Sequence, residues 1–371
     1  TNKKKDRLIS INKSNLLIAI YVFVLTIIIC FGGFHAKSIL QYIYAYLLLV
    51  IPMLLFFLMS RCNAVHIKNL IKFFVLVCLV YATFSIILST NYAFFMQAVG
   101  NNVDNYRYYS SQYRASMMLG SSITVSYYFN LTLPMCFYLY FTSNSTKWRA
   151  VSGLAIVMII IATFILLSRM AALCTIIIVA YSLIFIRGKK KNRRLGVIFL
   201  IVLAFVYAYQ KFDLTRIING INLSGNSAEA RLEASNLGIY IFSENPLFGS
   251  GLGTYFERVY NERFITVDGI TGLVDPHNLY ILILSELGLF GLSLMILLFC
   301  TLFMKFTSIS NRALKHTAIL VLLVFVFDAF GGSHLFNEIS LATIIWIYLG
   351  LFYAASIKYK SIKGTSEKVV S

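Results

Sequence analysis

Asp275-Pro276-His277-Asn278 followed by LYILILSELGLFGL (279–292) is the stretch on which the reading of this chain turns. It opens a long apolar run with a histidine at its mouth and glycines at Gly288 and Gly291. A continuous apolar run of that kind is a helix in hydrocarbon, because lipid offers backbone groups no partner outside the segment. An imidazole held where such a helix meets water can do chemistry on what the membrane delivers. Before it come about 65 residues of polar sequence, from Lys211 to Asp275, which hold Arg231 and the glycine-rich turn PLFGSGLG (246–253). An active site is expected at that loop and that helix mouth, since a loop of this length is more often functional than decorative.

Working outward, composition identifies the solvent. The 371 residues are 59% hydrophobic and 12% charged, with a mean hydropathy of +0.79, far more apolar than a soluble core requires. Runs long enough for a hydrocarbon core of roughly 30 Å fall near 15–34, 38–59, 68–90, 119–142, 150–167, 170–186, 195–210, 278–304, 315–330 and 338–356. They are continuously apolar rather than alternating, which excludes a barrel. The expected fold is all-α, a polytopic transmembrane helical bundle of about ten spans. It forms one domain over 1–371, within which 211–276 is a large extracytoplasmic loop containing short helices.

The formal net charge of +18 reads as topology rather than as nucleic-acid binding. With Lys3, Lys4, Lys5 and Arg7 inside, ten spans also place inside the clusters Arg61/Lys68/Lys72, Lys147/Arg149, 187–194, Lys305/Arg312/Lys315 and the tail from Lys358 to Lys368. Most of the 32 Lys and Arg then obey the positive-inside rule, with both termini cytoplasmic. The long loop has five Lys and Arg against eight Asp and Glu, so its arginines are not part of a basic wash. The first apolar run reads as a retained helix rather than a cleaved signal, and the ends near 1–13 and 360–371 read as disordered tails. The six cysteines show no ligand-like spacing, which supports neither a disulfide framework nor a zinc site.

Two further segments carry candidate residues. In NNVDNYRYYSSQYRAS (101–116), Arg107 and Arg114 alternate with tyrosines including Tyr109. Such rings form an interfacial belt or stack on sugars. In the long loop, Asn226-Ser227-Ala228-Glu229 resembles a helix start, with the helix running to about Phe242 and Arg231 in its first turns. Pro246, Gly249, Gly251 and Gly253 then make a tight turn through which backbone comes close to something.

Ser168-Arg169 at the end of a mid-chain span, Arg231 in a large outside loop, the PLFGSGLG turn, and His277-Asn278 followed nine residues later by GLFG together resemble the O-antigen ligase and O-antigen polymerase superfamily. The resemblance covers about 160–300 by motif and implies an integral-membrane, C-type glycosyltransferase in the bacterial inner membrane. It implies a donor glycan on undecaprenyl diphosphate and, as acceptor, a second lipid-linked repeat unit or a lipid A core sugar, for O-antigen or capsular polysaccharide. Membrane lipids and a chain-length regulator are the other implied partners. No nucleic acid is implied.

Charge gathers on the departing diphosphate, and either a divalent metal or guanidinium groups must absorb it; arginine's planar fork matches a phosphate bidentately. The metal-using members of the wider fold keep acids in the first outside loop. Here that loop is only about Phe34 to Lys37, so no metal and no cofactor are expected, and Arg169 and Arg231 take the role. Arg169 lies between IIATFILL and MAALCTIIIVAY without an acidic neighbour, where a charge costs roughly 2.5–3.5 kcal/mol on insertion scales. The competing reading is a snorkelling side chain. Arg231 is flanked by Glu229 and Glu233, so a surface ion pair competes there.

His277 is the expected base, with helix capping as its alternative, and the substrate-binding candidates are Arg107, Arg114, Tyr109, Asn278, Gly251 and Gly253. His66 and His316 fall on the cytoplasmic side, His35 and His334 outside. Glu286 and Asp328 read as buried carboxylates that each pair with another span. Polymerisation is preferred over ligation because ten spans are fewer than the larger ligases have. A transporter or flippase is the remote alternative, since neither paired repeats nor a broken midplane helix is visible.

Overall fold

The computed structural model describes residues 39–90, 108–109, 112–113, 122–166, 168–186, 196–199, 201–203, 206, 226–261, 276–332 and 339–366. Its helices are α1 (Ile39–Ser60), α2 (Ala64–Thr90), α3 (Ser122–Thr142), α4 (Thr146–Ile165), α5 (Arg169–Phe185), α6 (Asn226–Glu244), α7 (Thr254–Asn261), α8 (Leu279–Thr307), α9 (Arg312–Asp328) and α10 (Ile339–Ser366). A two-residue ladder, Tyr108 opposite Tyr113 and Tyr109 opposite Gln112, is the one departure from helix among the described elements. Helices thus occupy eight of the ten apolar stretches; 15–34 lies outside the described residues and 195–210 is described only in part. Among the described residues four helices are long and apolar enough to cross a membrane: Ala64–Ser89, Thr146–Ile165, Leu279–Thr307 and Ser340–Ile357. α10 runs on to Ser366, so 360–366 is helical and not the disordered tail that its polarity suggests.

One large core joins α1–α5 and α8–α10. Small residues and aromatic edges bring the helices together, as they do where lipid supplies no hydrophobic drive between helices. A Cβ at Gly350 of α10 would fall 2.5 Å from the Phe56 carbonyl of α1, and the Phe56 ring meets Trp346 and Tyr353 at 6.0 and 5.5 Å. Buried polar links tie α3 to its neighbours. Asn130 donates to the Ala171 carbonyl at 2.9 Å and accepts from Thr175 at 2.7 Å, and Thr132 bonds Tyr348 at 2.9 Å.

α5 and α9 run antiparallel. Cys174 meets Asp328 at one end and Tyr181 meets the His316 ring at the other. The first turn of α4 carries Lys147 and Arg149 at the end remote from Asp328, where Lys72 lies 4.9 Å over the Trp148 ring.

A second, smaller core comprises Leu237, Ile241, Tyr255, Val259 and Leu282. It joins α6 and α7 to the first part of α8 through Leu282, while Leu279, Ile283 and Leu287 of that same part belong to the large core.

Candidate functional site

His277 sits at the entrance to α8 with φ 48, the only non-glycine residue at positive φ among the described residues. Histidine tolerates that region better than most side chains, and residues held there cluster at functional sites. Asn278, not His277, caps the helix: its side-chain oxygen accepts the N–H of Tyr280 at 3.0 Å and of Ile281 at 3.3 Å. Helix capping as an explanation therefore belongs to Asn278.

The mouth of α8 is fastened to the last turn of α9. Leu279 N–H donates to the Ala329 carbonyl at 2.9 Å, and the Tyr280 hydroxyl donates to the Val326 carbonyl at 2.8 Å. The Tyr280 and Phe330 rings lie 4.6 Å apart. The same turn also receives α5. A Cβ at Gly331 would lie 2.8 Å from the Tyr127 hydroxyl and 3.0 Å from Met170 Cγ, and Cys174 Sγ donates to Asp328 Oδ1 at 3.0 Å. Arg169, next to Met170, is the first residue of α5, capped by Ser168. Arg169 is exposed and His277 partly so. The turn 328–332 thus brings the Arg169 end of α5 and the His277 end of α8 together.

A cation at a helix N-terminus opposes the helix dipole, so Arg169 is poorly explained as helix stabilisation. Guanidinium and N-terminal amides together suit an anion.

Asp328 is the residue whose part in this arrangement sequence reading undervalues. It pairs with another span, as expected, through Cys174. Its second oxygen, Oδ2, is buried with no hydrogen-bond partner among the described residues, and Asp328 lines a small cavity of about 20 Å³ with Tyr127, Leu131, Leu279, Phe325 and Leu341. Only its apolar surroundings signalled a role. The juxtaposition with the mouth of α8 is tertiary.

α8 is broken at Gly288, whose φ of 67 and ψ of −168 interrupt the helix. This corrects the expectation of unbroken spans. The PLFGSGLG turn substitutes for the missing helical bonds: Leu289 and Phe290 N–H donate to the Pro246 and Leu247 carbonyls at 2.9 and 3.0 Å, while Ser250 and Gly251 N–H donate to the Ser285 and Glu286 carbonyls at 2.9 and 3.0 Å. What the turn approaches so closely is the backbone of α8. A Cβ at Gly249 would fall 2.3 Å from the Glu286 carbonyl carbon, and one at Gly288 would fall 2.5 Å from Gly249 N.

Among the described residues no side chain of another span pairs with Glu286, contrary to expectation: its Oε1 is buried without a partner, and the groups that favour the charged carboxyl are the backbone N–H groups of Gly253 and Tyr255, at the start of α7. Of the two glycines proposed to bind substrate, Gly251 is buried and spends its N–H on the Glu286 carbonyl. Gly253, at φ 78, has no atom within 4 Å of where a Cβ would stand, so open space lies on that side.

Arg231 is exposed on α6, which starts at Asn226 as expected and ends at Glu244. α6 lies against the first part of α8, where a Cβ at Gly238 would fall 2.4 Å from Ile281 Cγ2. Tyr255 of α7 donates to the Ala234 carbonyl at 2.9 Å. Hydrogen bonds from Arg258 hold the Glu244 carboxyl below the usual carboxylate range. What this exposed pair adds to stability is lost as pH falls through that lowered value, and it is screened by solvent. Tyr109 is described by its backbone alone, in the two-residue ladder. Arg107 and Arg114 lie outside the described residues, as do His35, His334, Asp268 and Asp275.

Fold and site together define an integral-membrane helical protein with a polar helical appendage packed on the first part of one broken helix. Residues 153–296, which include Arg169, Arg231, the glycine-rich turn, His277 and Gly288, match the O-antigen ligase family. The matched segment is similar to that family, and this supports the resemblance of its motifs to the O-antigen ligase and O-antigen polymerase superfamily. No curated protein matches the chain.

Proposed function

We propose that the chain is a metal-independent glycosyltransferase of the bacterial inner membrane, a single domain over 1–371 with about ten spans and both termini cytoplasmic. It joins undecaprenyl-diphosphate-linked repeat units of O-antigen or capsular polysaccharide on the extracytoplasmic face, where the loop 211–276 lies. The observation that carries this reading is the meeting of the Arg169 end of α5 and the His277 end of α8 on one turn of α9.

In the reaction, a hydroxyl of the acceptor repeat unit attacks the anomeric carbon of the donor. The new C–O bond forms as the bond to the diphosphate oxygen breaks. His277 takes the hydroxyl proton, and the electron pair leaves with the lipid diphosphate, whose charge Arg169 and Arg231 accept. Arg107, Arg114 and Tyr109 hold glycan from the outside segment 101–116, and Asn278 fixes the position of His277 by capping the helix that follows it. Gly253 leaves room beside the turn for substrate, whereas Gly251 serves the turn itself.

Ligation to a lipid A core is the second reading, favoured by the family description of the matched segment. It differs only in the acceptor. The break in α8 removes one argument against a transporter, but the break is filled by backbone of the 246–251 turn rather than left open to a path. Incubating the purified protein with lipid-linked repeat units, with and without lipid A core, separates the readings. A ladder of lengths without core means polymerisation, and product only with core means ligation. Unchanged donor in both would remove the transferase reading.

A further inference from the structure

The turn that fills the break in α8 is apolar on its outer side. Leu247 and Phe248 are 63% and 61% exposed, although they belong to a stretch that sequence alone assigns to water. They continue a surface of α8: Leu289 and Phe290 are exposed beside them, Phe248 and Phe290 rings lie 5.8 Å apart, and Ile296 and Leu297 extend the surface along the helix.

The length of α8 says where this surface lies. At 1.5 Å per residue the whole of α8 measures about 43 Å, more than a hydrocarbon core of roughly 30 Å, whereas the part after the break, 289–307, measures about 28 Å. The part before the break packs on the last turn of α9 in the large core through Leu279, Ile283 and Leu287, and on α6 and α7 in the smaller core through Leu282. Gly288 therefore marks the level at which α8 enters lipid, and Leu247 and Phe248 stand at that level.

Backbone in lipid must have its polar groups paired, and the turn meets much of that condition. Pro246 has no N–H, and its carbonyl and that of Leu247 accept from α8; Gly249 N–H donates to the Asn245 carbonyl at 2.9 Å.

We infer that Leu247 and Phe248 are a membrane anchor, inserted into the hydrocarbon of the outer leaflet beside Leu289 and Phe290. The anchor fixes α6, and with it Arg231, close to the level of lipid phosphates. It rests on α8 crossing a membrane and is independent of the transferase reading.

The test is labelling of single cysteines in intact spheroplasts with a membrane-impermeant maleimide, the unaltered chain serving as blank. Glu233→Cys, on the exposed surface of α6, is expected to label, whereas Leu247→Cys and Phe248→Cys are expected to lose labelling in the intact membrane. Equal labelling at the three positions overturns the anchor. In a second measurement, Phe248→Trp in vesicles of bromine-labelled phosphatidylcholine is expected to add emission that the bromines quench, beyond what Trp148 and Trp346 give. Added emission that resists quenching means that water or a second protein surface covers the turn, and it overturns the proposal. Neither readout depends on glycan transfer, so the anchor and the catalytic reading stand or fall separately.

Discussion

The Leu279 N–H donates to the Ala329 carbonyl at 2.9 Å, and this bond joins two helix ends that would otherwise each leave a backbone group unpaired. Leu279 is the first residue of α8 and Ala329 the C-cap of α9. Two residues before Leu279 is His277; one residue before Ala329 is Asp328, which holds α5 through Cys174. The position of the expected base relative to the expected phosphate-binding arginine is therefore set by a single turn.

Arg169→Ala is expected to abolish glycan transfer while the protein still inserts. Arg169→Lys should rescue it poorly, because a point charge does not reproduce the bidentate fork. Loss of one preorganised donor at a developing charge lowers turnover by about 10²–10³-fold. The check is transfer rate per amount of protein in the membrane. An Arg169→Ala protein with wild-type turnover assigns the side chain to snorkelling.

His277→Gly tests chemistry apart from backbone. Glycine accepts the φ of 48 that His277 adopts, so the mouth of α8 should form normally while transfer falls by about 10²–10⁴-fold, the usual worth of a general base. A neutral imidazole takes a proton and a charged one does not. Wild-type activity should therefore decline toward acid pH, and the residual activity of His277→Gly should lack that acid limb. Equal pH profiles for the two proteins would deny His277 the role of base.

Gly249→Ala and Gly288→Ala should each destabilise the protein, for the added methyl would stand 2.3–2.5 Å from backbone atoms of the facing segment. Overpacking of that kind costs about 1–3 kcal/mol, and positive φ adds about 1–2 kcal/mol. Gly253→Ala carries only the backbone penalty, since its Cβ meets nothing. Its effect, if the open side admits substrate, appears in KM. Thermal unfolding in detergent ranks the three, and a Gly288→Ala protein that melts like the wild type contradicts the fit of turn to helix.

Activity should persist in EDTA, because two arginines are assigned the charge of the leaving diphosphate. If chelation stops transfer and magnesium or manganese restores it, the assignment to Arg169 and Arg231 fails, and Asp268 and Asp275 become the first candidates for ligands.

Much of the frame is legible in the sequence, for apolar runs of the length of α2, α4, α8 and α10 have one solution in lipid. The start of α6 is legible too, since Asn226 carries a recognisable start signal, whereas the cap of α8 is Asn278 and not the His277 to which sequence reading offers that role. The break at Gly288 is not. Glycine is tolerated within a membrane helix, and only the 246–251 turn, some forty residues away, supplies the bonds that make an interruption stable. Glu286 shows the same limit: a lone acid in an apolar run predicts a partner, but not that the partner is the backbone of Gly253 and Tyr255. Leu247 and Phe248 are read as loop because their neighbours are polar, and their contact with lipid depends on where α8 bends.

The most direct measurement is release of undecaprenyl diphosphate from lipid-linked repeat units supplied alone to the purified protein, alongside Arg169→Ala and His277→Gly. The wild type is expected to give free undecaprenyl diphosphate together with a ladder of longer glycans, and the two variants neither. Release and elongation at wild-type rates by either variant would contradict this expectation.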